Sequence, residues 1–376
     1  MTKKSTVILL FRARINIINY AKKKGLNPNK IFFTNRSKIY ADYLEKHSLA
    51  DIFLDTYPFS AHSTGYASLI SGVPIVTFKS ETFANNVCSS LLIEADLQDQ
   101  EAVNQAFRGQ EVIFHVAAKA GIWGSRKSYY DANVMGSRHV LTACKKEQIK
   151  YLIYTSTPSV VFNGQSFCGA DESLPYGKNW LCHYAETKAI AEKEMLEANS
   201  ETLRVCALRP HLIFGPRDTH LFPRVIRSVL AGRFKIVGKG DNKVDVSYVE
   251  DVAEAHLKAF QALQTGQSCG KAYFISQGKP VVLWEWLNGI LEQLSIPRIN
   301  QKISLPLGYA LGYVLELAWR VFKFKGEPPM TRFVAVELAK DHYFDSSNAK
   351  NDLGFQPKHT MDEAMKKTVE DLKRLL

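Results

Sequence analysis

Short apolar runs alternate along this chain with stretches whose apolar residues recur every third or fourth position. A short closed run suits a buried strand, and a three-to-four repeat suits a helix with one covered face. On that basis 6–11, 30–34, 51–55 and 74–78 are predicted strands. The segments 15–24, 38–47, one opening within 65–71, and 82–92 are predicted helices. The alternation continues with a helix ending near Gly109, a strand over 112–118, and a helix that contains Asn133 and runs to Lys146. A strand over 151–155, a helix over 183–198 and a strand over 203–208 follow. Strand and helix in turn predict an α/β fold whose parallel sheet carries helices on both faces.

One predicted helix carries chemistry. Within His183-Tyr184-Ala185-Glu186-Thr187-Lys188, the tyrosine and the lysine stand four residues apart and share a helix face. A free phenol titrates near ~10, and an ammonium held beside it favours the phenolate. Tyr184 is therefore expected to exchange a proton with a substrate hydroxyl near neutral pH. Thr157, after the preceding strand, is expected to hold the substrate oxygen. Hydride transfer between a secondary alcohol and a nicotinamide uses such a set. A surface tyrosine and lysine sharing a helix by chance is the competing reading, and other segments decide between them.

Those segments are Asp96 and Leu97, the strand end His115-Val116-Ala117-Ala118 with Lys119 after it, Asn133, and Arg209-Pro210-His211-Leu212. The stretches 244–256, 326–332 and 344–355 complete the set. In this order, with Tyr184 and Lys188, they resemble the extended short-chain dehydrogenase/reductases. Within that superfamily the chain is similar to the 3β-hydroxysteroid dehydrogenase or NAD-dependent epimerase-dehydratase type, over 95–376. The resemblance implies a Rossmann-like sheet plus a smaller mixed C-terminal substrate part, about 216–240 and 275–345. It implies NAD or NADP, with Asp96 on the adenine and Leu97 beside its ring. Ala117, Ala118 and Lys119 would lie near the cofactor ribose, and Asn133 would support the backbone around Lys188. Lys188 would hold the nicotinamide ribose and lower the pKa of Tyr184. Pro210 would shape the nicotinamide pocket, with backbone groups around His211 and Leu212 available to the carboxamide. His183 and His211 are expected to orient loops or pack rather than catalyse.

The first 94 residues resemble something else. The stretch from Ala50 to Gly65, then 72–77 and 81–84, is similar to the catalytic C-terminal half of the O-linked N-acetylglucosamine transferases, the SPINDLY-like glycosyltransferases. That resemblance implies a UDP diphosphate held at a helix start by His62, Ser63 and Thr64, where free N–H groups and hydroxyls cradle an anion. Ala67 stands where that family holds the ribose with an acidic residue, and the family's upstream lysine and tetratricopeptide repeats are not in this sequence. An appended half-domain with a vestigial nucleotide-sugar site is the expectation. The Gly-x-x-Gly-x-x-Gly turn of extended dehydrogenases is missing: Gly25, Gly65 and Gly72 are the only glycines before Ala95. The residues that choose between NAD and NADP belong to that missing part. The junction at 93–96 fits a natural fusion or a misjoined gene.

Charge and composition narrow the rest. A net charge of +11 favours anionic ligands, but the lysines and arginines are scattered, so no nucleic acid is expected. The six cysteines show no Cys-x-x-Cys pairing and no metal spacing with histidine, which predicts reduced thiols, no metal and a cytoplasmic location. Phe162, Phe222, Trp284, Trp286, Tyr309 and Trp319 could give the substrate part apolar surface, suited to a steroid-like or other lipophilic alcohol, although such aromatics are more often simply core. The apolar stretch 307–324 is expected to be a buried or lid helix, with peripheral membrane contact as the second reading. A homodimer is also admitted. The alternatives to the dehydrogenase are a sugar-nucleotide epimerase or dehydratase, a UDP-sugar-binding module, and an inactive chimera.

Overall fold

The computed structural model describes Asn19, Lys22 to Lys24, the strands Phe53–Leu54 and Ile75–Val76, and residues 97–218 and 221–374. The chain divides into two compact units, Met1–Leu92 and Ile93–Leu376. In the first unit Phe53–Leu54 pairs in parallel with Ile75–Val76.

The second unit is built on a parallel sheet in the order Ala272–Ile275, Arg204–Pro210, Tyr151–Thr155, Val112–His115. Its strands are mostly apolar because helices cover both faces. Successive residues separate to opposite sides. Leu152, Tyr154, Val205 and Ala207 pack with Val103, Val140, Ala191 and Met195. Ile153, Cys206 and Leu208 pack with Val252, Ala259 and Leu353 on the other face. Helices Gln100–Phe107, Gly136–Lys146 and His183–Glu197 make the first layer. Val249–Thr265 and Ser347–Leu353 make the second.

A separate core forms the smaller part. Phe214, Phe222, Trp284 and Trp286 are buried there with Leu287, Ile290 and Val369. Phe162 is buried against Phe333. Phe162, Phe222, Trp284 and Trp286 are therefore core residues, the commoner of the two expected readings, and do not line a substrate surface. Their size favours complete burial wherever helix and loop close over them.

The His183–Glu197 helix is rich in Ala, Glu, Lys, Met and Leu, all strong helix formers, with no Gly or Pro. Its buried face carries Ala185, Lys188, Ala189 and Glu192. Glu192 is 0% exposed and Arg209, on the central strand, 4%. The guanidinium donates to both carboxylate oxygens, through Nη2 to Oε1 at 2.6 Å and through Nε to Oε2 at 3.0 Å. Tyr176 Oη donates to Oε1 at 2.9 Å, and Phe274 lies under the guanidinium at 5.2 Å. Helix and sheet are thus locked in one register.

The expected buried helix over 307–324 is observed as Leu305–Phe322, but only Gly308, Gly312 and Glu316 are buried in it. A Cβ on Gly312 would lie 2.6 Å from Arg332 N, so helix and backbone touch directly. Glu316 accepts from Arg332 N at 2.7 Å and from its guanidinium at 2.7 Å and 3.0 Å. Contact along one narrow line leaves the remaining faces outside.

Glu192→Ala strands a buried guanidinium and is expected to lower stability by ~3–5 kcal/mol, read as a lower urea midpoint at unchanged slope. Glu192→Leu combined with Arg209→Met keeps the volume without the charges and is expected to cost less than the single change.

Candidate active site

The strand Val112–His115 stops three residues before its predicted end, and Val116, Ala117, Ala118 and Lys119 follow it as exposed chain. Lys119 Nζ donates to Ser128 Oγ at 3.0 Å. The helix expected to contain Asn133 is broken: Arg126–Tyr129 is α-helical, Tyr130–Met135 is a wider π turn, and Gly136–Lys146 is α-helical again. Such single π turns reposition side chains at functional sites. Here the turn aims Asn133 inward. Its Oδ1 accepts from Lys119 N at 2.7 Å, and its Nδ2 donates to Lys119 O and to Thr187 Oγ1, both at 3.1 Å. One amide thus ties the strand-end loop to the helix of Tyr184 and Lys188.

Thr157 begins the 3-10 turn Pro158–Val161, its Oγ1 accepting from Ser159 N at 3.3 Å. The same hydroxyl donates to Ser159 Oγ at 3.3 Å. It lies close enough to the Tyr184 phenol to favour the ionised form, so strand end and helix bring the two side chains near one another. Burial nevertheless pushes the phenol up to about 12.

Lys188 is 1% exposed. Its Nζ donates to Thr155 O at 2.6 Å and lies 4.0 Å from the centre of the Tyr154 ring. Burial brings the ammonium down to about 7, against the attraction of Glu192 four residues on. The expectation that Lys188 lowers the Tyr184 pKa is corrected here: the ammonium is turned to the Thr155 carbonyl, and burial governs the phenol. His115, brought down to about 3 by burial and by Lys188, packs behind as a neutral ring bonded to Ser137 Oγ at 2.9 Å.

The backbone at His211 is also used differently from the expectation. His211 N–H donates to Ile275 O and Ser247 Oγ, and Ser247 Oγ donates back to His211 O at 2.8 Å. These groups stitch the end of the Arg204–Pro210 strand to its neighbours, so the His211 N–H is already engaged. Leu212 follows with φ 39°, a left-handed turn into Ile213–Phe214. The His211 ring meets His342, Nε2 to Nδ1 at 2.6 Å, and His342 Nε2 reaches Glu337 O at 2.7 Å. Their potential ligand atoms, with that of the Glu337 carboxylate, lie within 4.8 Å. Sequence spacing concealed this cluster, because 131 residues separate the two histidines. Leu97 packs against Gly136 and the first-layer core. Asp96, His62, Ser63 and Thr64 lie outside the described residues.

Beside the start of the His183–Glu197 helix lies a cavity of about 550 Å³, reached by Cys182 and His183 just before Tyr184. Trp123, Trp180 and Trp319 line it, with Arg320, Lys323 and the Glu316–Arg332 pair on the helix side. Of these, sequence reasoning singled out His183 and Trp319. Glu316 had a readable signal as an acid inside an apolar helix. The loop tryptophans had none.

The 3-beta hydroxysteroid dehydrogenase/isomerase family matches residues 75–307 of the chain. The match starts within the stretch that the sequence likened to a transferase. A 2-alkyl-3-oxoalkanoate reductase from Shewanella oneidensis is 46% identical over 285 residues, covering 73% of this chain and 74% of that protein. An Arabidopsis thaliana 3beta-hydroxysteroid-dehydrogenase/decarboxylase is 38% identical over 293 residues, covering 75% and 67%. Among solved structures, a UDP-glucuronic acid 4-epimerase from Bacillus cereus in complex with NAD superposes with a TM-score of 0.56 at 19% identity, covering 74% of this chain and 79% of that one. None of these three is a glycosyltransferase.

A lysine unfolded in water titrates near ~10.4, above the folded value of about 7 for Lys188. The folded chain therefore sheds this proton first, and the cost of burying the ammonium grows as pH falls from ~10 towards 7. Lys188→Met should remove that slope. The melting temperature of the variant minus that of the wild type should be most positive near pH 7 and shrink as pH rises towards 10.

Proposed function

Because the chain belongs to the 3-beta hydroxysteroid dehydrogenase/isomerase family, we propose that it is an NAD(P)-dependent oxidoreductase interconverting a ketone and a secondary alcohol on a lipophilic substrate that bears a carboxylate. The observation that carries this reading is the Tyr184 phenol near the Thr157 hydroxyl, at a helix start that borders a tryptophan-lined cavity.

The reactive end of a nicotinamide dinucleotide fits the residues around it. The small side chains of Ala117 and Ala118 leave the strand end open, as ribose approach to a backbone requires. Lys188 sets a buried ammonium at the neighbouring strand end. When bound, the cofactor supplies hydride to the substrate carbonyl or takes it from the alcohol. Tyr184 then donates its phenolic proton to the carbonyl oxygen that Thr157 positions. A phenol at about 12 is protonated throughout the neutral range, which suits the acid of a reduction. Asn133 holds the loop and Thr187 in place while that proton moves.

The substrate class is supported by the relatives and by charge. The names of both curated relatives imply a carboxyl group, one as an oxoalkanoate and one through decarboxylation. The cavity offers Arg320 and Lys323 beside three indoles, a cationic spot within an apolar wall.

Tyr184→Phe is expected to lower kcat by ~10²–10⁴ while leaving the thermal shift on NAD or NADP addition intact. Thr157→Val should cost ~10²-fold and Thr157→Ser much less, because serine retains the hydroxyl. Reduction of a 3-oxo acid, followed as NAD(P)H consumption, should show no phenol-dependent loss between pH 6 and ~9. Turnover of a UDP-sugar in place of the oxo acid, or full activity in Tyr184→Phe, would overturn the proposal.

A further inference from the structure

His211, Glu337 and His342 come together from three separate elements and have no part in the proton transfer described above. His211 follows the Arg204–Pro210 strand, Glu337 ends the helix Arg332–Glu337, and His342 opens the strand His342–Phe344. Both histidines are buried, at 8% and 7% exposure. One ligand atom from each of the three residues lies within 4.8 Å of the other two. Two imidazoles and a carboxylate are the donor set of a borderline divalent ion such as zinc. Magnesium and calcium take oxygen donors instead.

The ring orientations fit such a site. A carbonyl only accepts, so His342 Nε2 carries the proton that it gives to Glu337 O at 2.7 Å. Nδ1 of the same ring is left with a lone pair aimed at His211 Nε2, 2.6 Å away. Histidines that bind a metal are commonly fixed in this way, with the second ring N–H held by a backbone carbonyl. As the rings stand, the His211 Nε2 proton bridges them. Zinc in its place needs the two nitrogens about 3.3 Å apart, from Zn–N bonds of ~2.0–2.1 Å at a tetrahedral angle. A modest turn of either ring opens that gap, with the His211 proton moving to Nδ1. The Glu337 carboxylate, 3.7 Å from His342 Nε2, closes on the ion by side-chain rotation.

Buried carboxyl groups make the surroundings receptive to a cation. Burial pushes Glu337 above its ordinary range and Asp245 to about 6. Asp245 is tied to the strand of His342, its N–H donating to His342 O at 3.2 Å and its Oδ2 accepting from Phe344 N at 2.8 Å. From this arrangement we propose that His211, His342 and Glu337 bind one divalent transition ion of the zinc class, which clamps the end of the Arg204–Pro210 strand to the Arg332–Glu337 helix. At its other end that helix carries Arg332, on the cavity wall with Glu316. The ion therefore stiffens one wall of the cavity. A plain ring-to-ring hydrogen bond is the competing reading. The site stands without the redox reading.

Titration of the full chain with ZnCl2, after stripping with EDTA and gel filtration, tests this through retained zinc and melting temperature. One zinc per chain should be retained, and melting should rise by a few degrees without NAD or NADP. MgCl2 at the same concentration should do nothing. The His342 ring bond uses the backbone oxygen of Glu337, so Glu337→Gln should melt near wild type before zinc is added. It should then bind zinc at least ~10-fold more weakly. His342→Gln should abolish retention. CoCl2 in place of ZnCl2 should give the intense visible absorption of a four-coordinate ion, lost in the same variants. Absence of a zinc-induced shift overturns the proposal, as does an equal shift with MgCl2. A shift that survives both substitutions also overturns it and places the zinc elsewhere, for instance at His359 beside Glu250 and Asp251.

Discussion

Glu192 and Arg209 meet where the His183–Glu197 helix crosses the central strand, and the geometry of the site hangs on that meeting. Tyr184, Lys188 and Glu192 occupy successive turns of one helix face. Fixing the last against the sheet therefore fixes the rotation and depth of the first two. Taking a carboxylate and a guanidinium out of water is costly, and it is tolerated here because the fork is engaged at both oxygens and Tyr176 supplies another donor. The same carboxylate also favours the charged form of Lys188. Position and electrostatics of the candidate site thus share one source.

The second constraint is the π turn at Tyr130–Met135. It lets one asparagine reach the Lys119 backbone in both directions and Thr187 at once. Lys188 has a different task from the one its spacing suggests: its proton is held by the Thr155 carbonyl and the Tyr154 ring. Tyr184 consequently stands as a neutral phenol, kept so by burial.

Much of this was legible in the residues. The strand at 151–155, the helix beginning at His183 and the four-residue step from Tyr184 to Lys188 follow from local pattern, which the structure reproduces. What pattern could not supply was contact across the chain. The His211–His342 pair, the Glu192–Arg209 pair and the use of the His211 backbone by Ser247 all depend on which strand ends adjoin. The large aromatics stayed open between two readings for a related reason: hydropathy tells that Trp284 prefers burial, but not whether protein or substrate covers it. The stretch 307–324 failed differently. Only the closeness of Arg332 shows that its glycines are the contact and the leucines are not.

That glycine line separates two kinds of constraint within one helix. At Gly312 even a methyl group would collide with the Thr331–Arg332 backbone and lift the helix from its seat, whereas outward positions such as Val314, Val321 and Phe322 are exposed. Substitutions can therefore accumulate on the outside with little consequence for folding, while the inner edge is held to a few small residues. A lineage could repaint one side of this single helix and leave its seat on the Thr331–Arg332 backbone untouched.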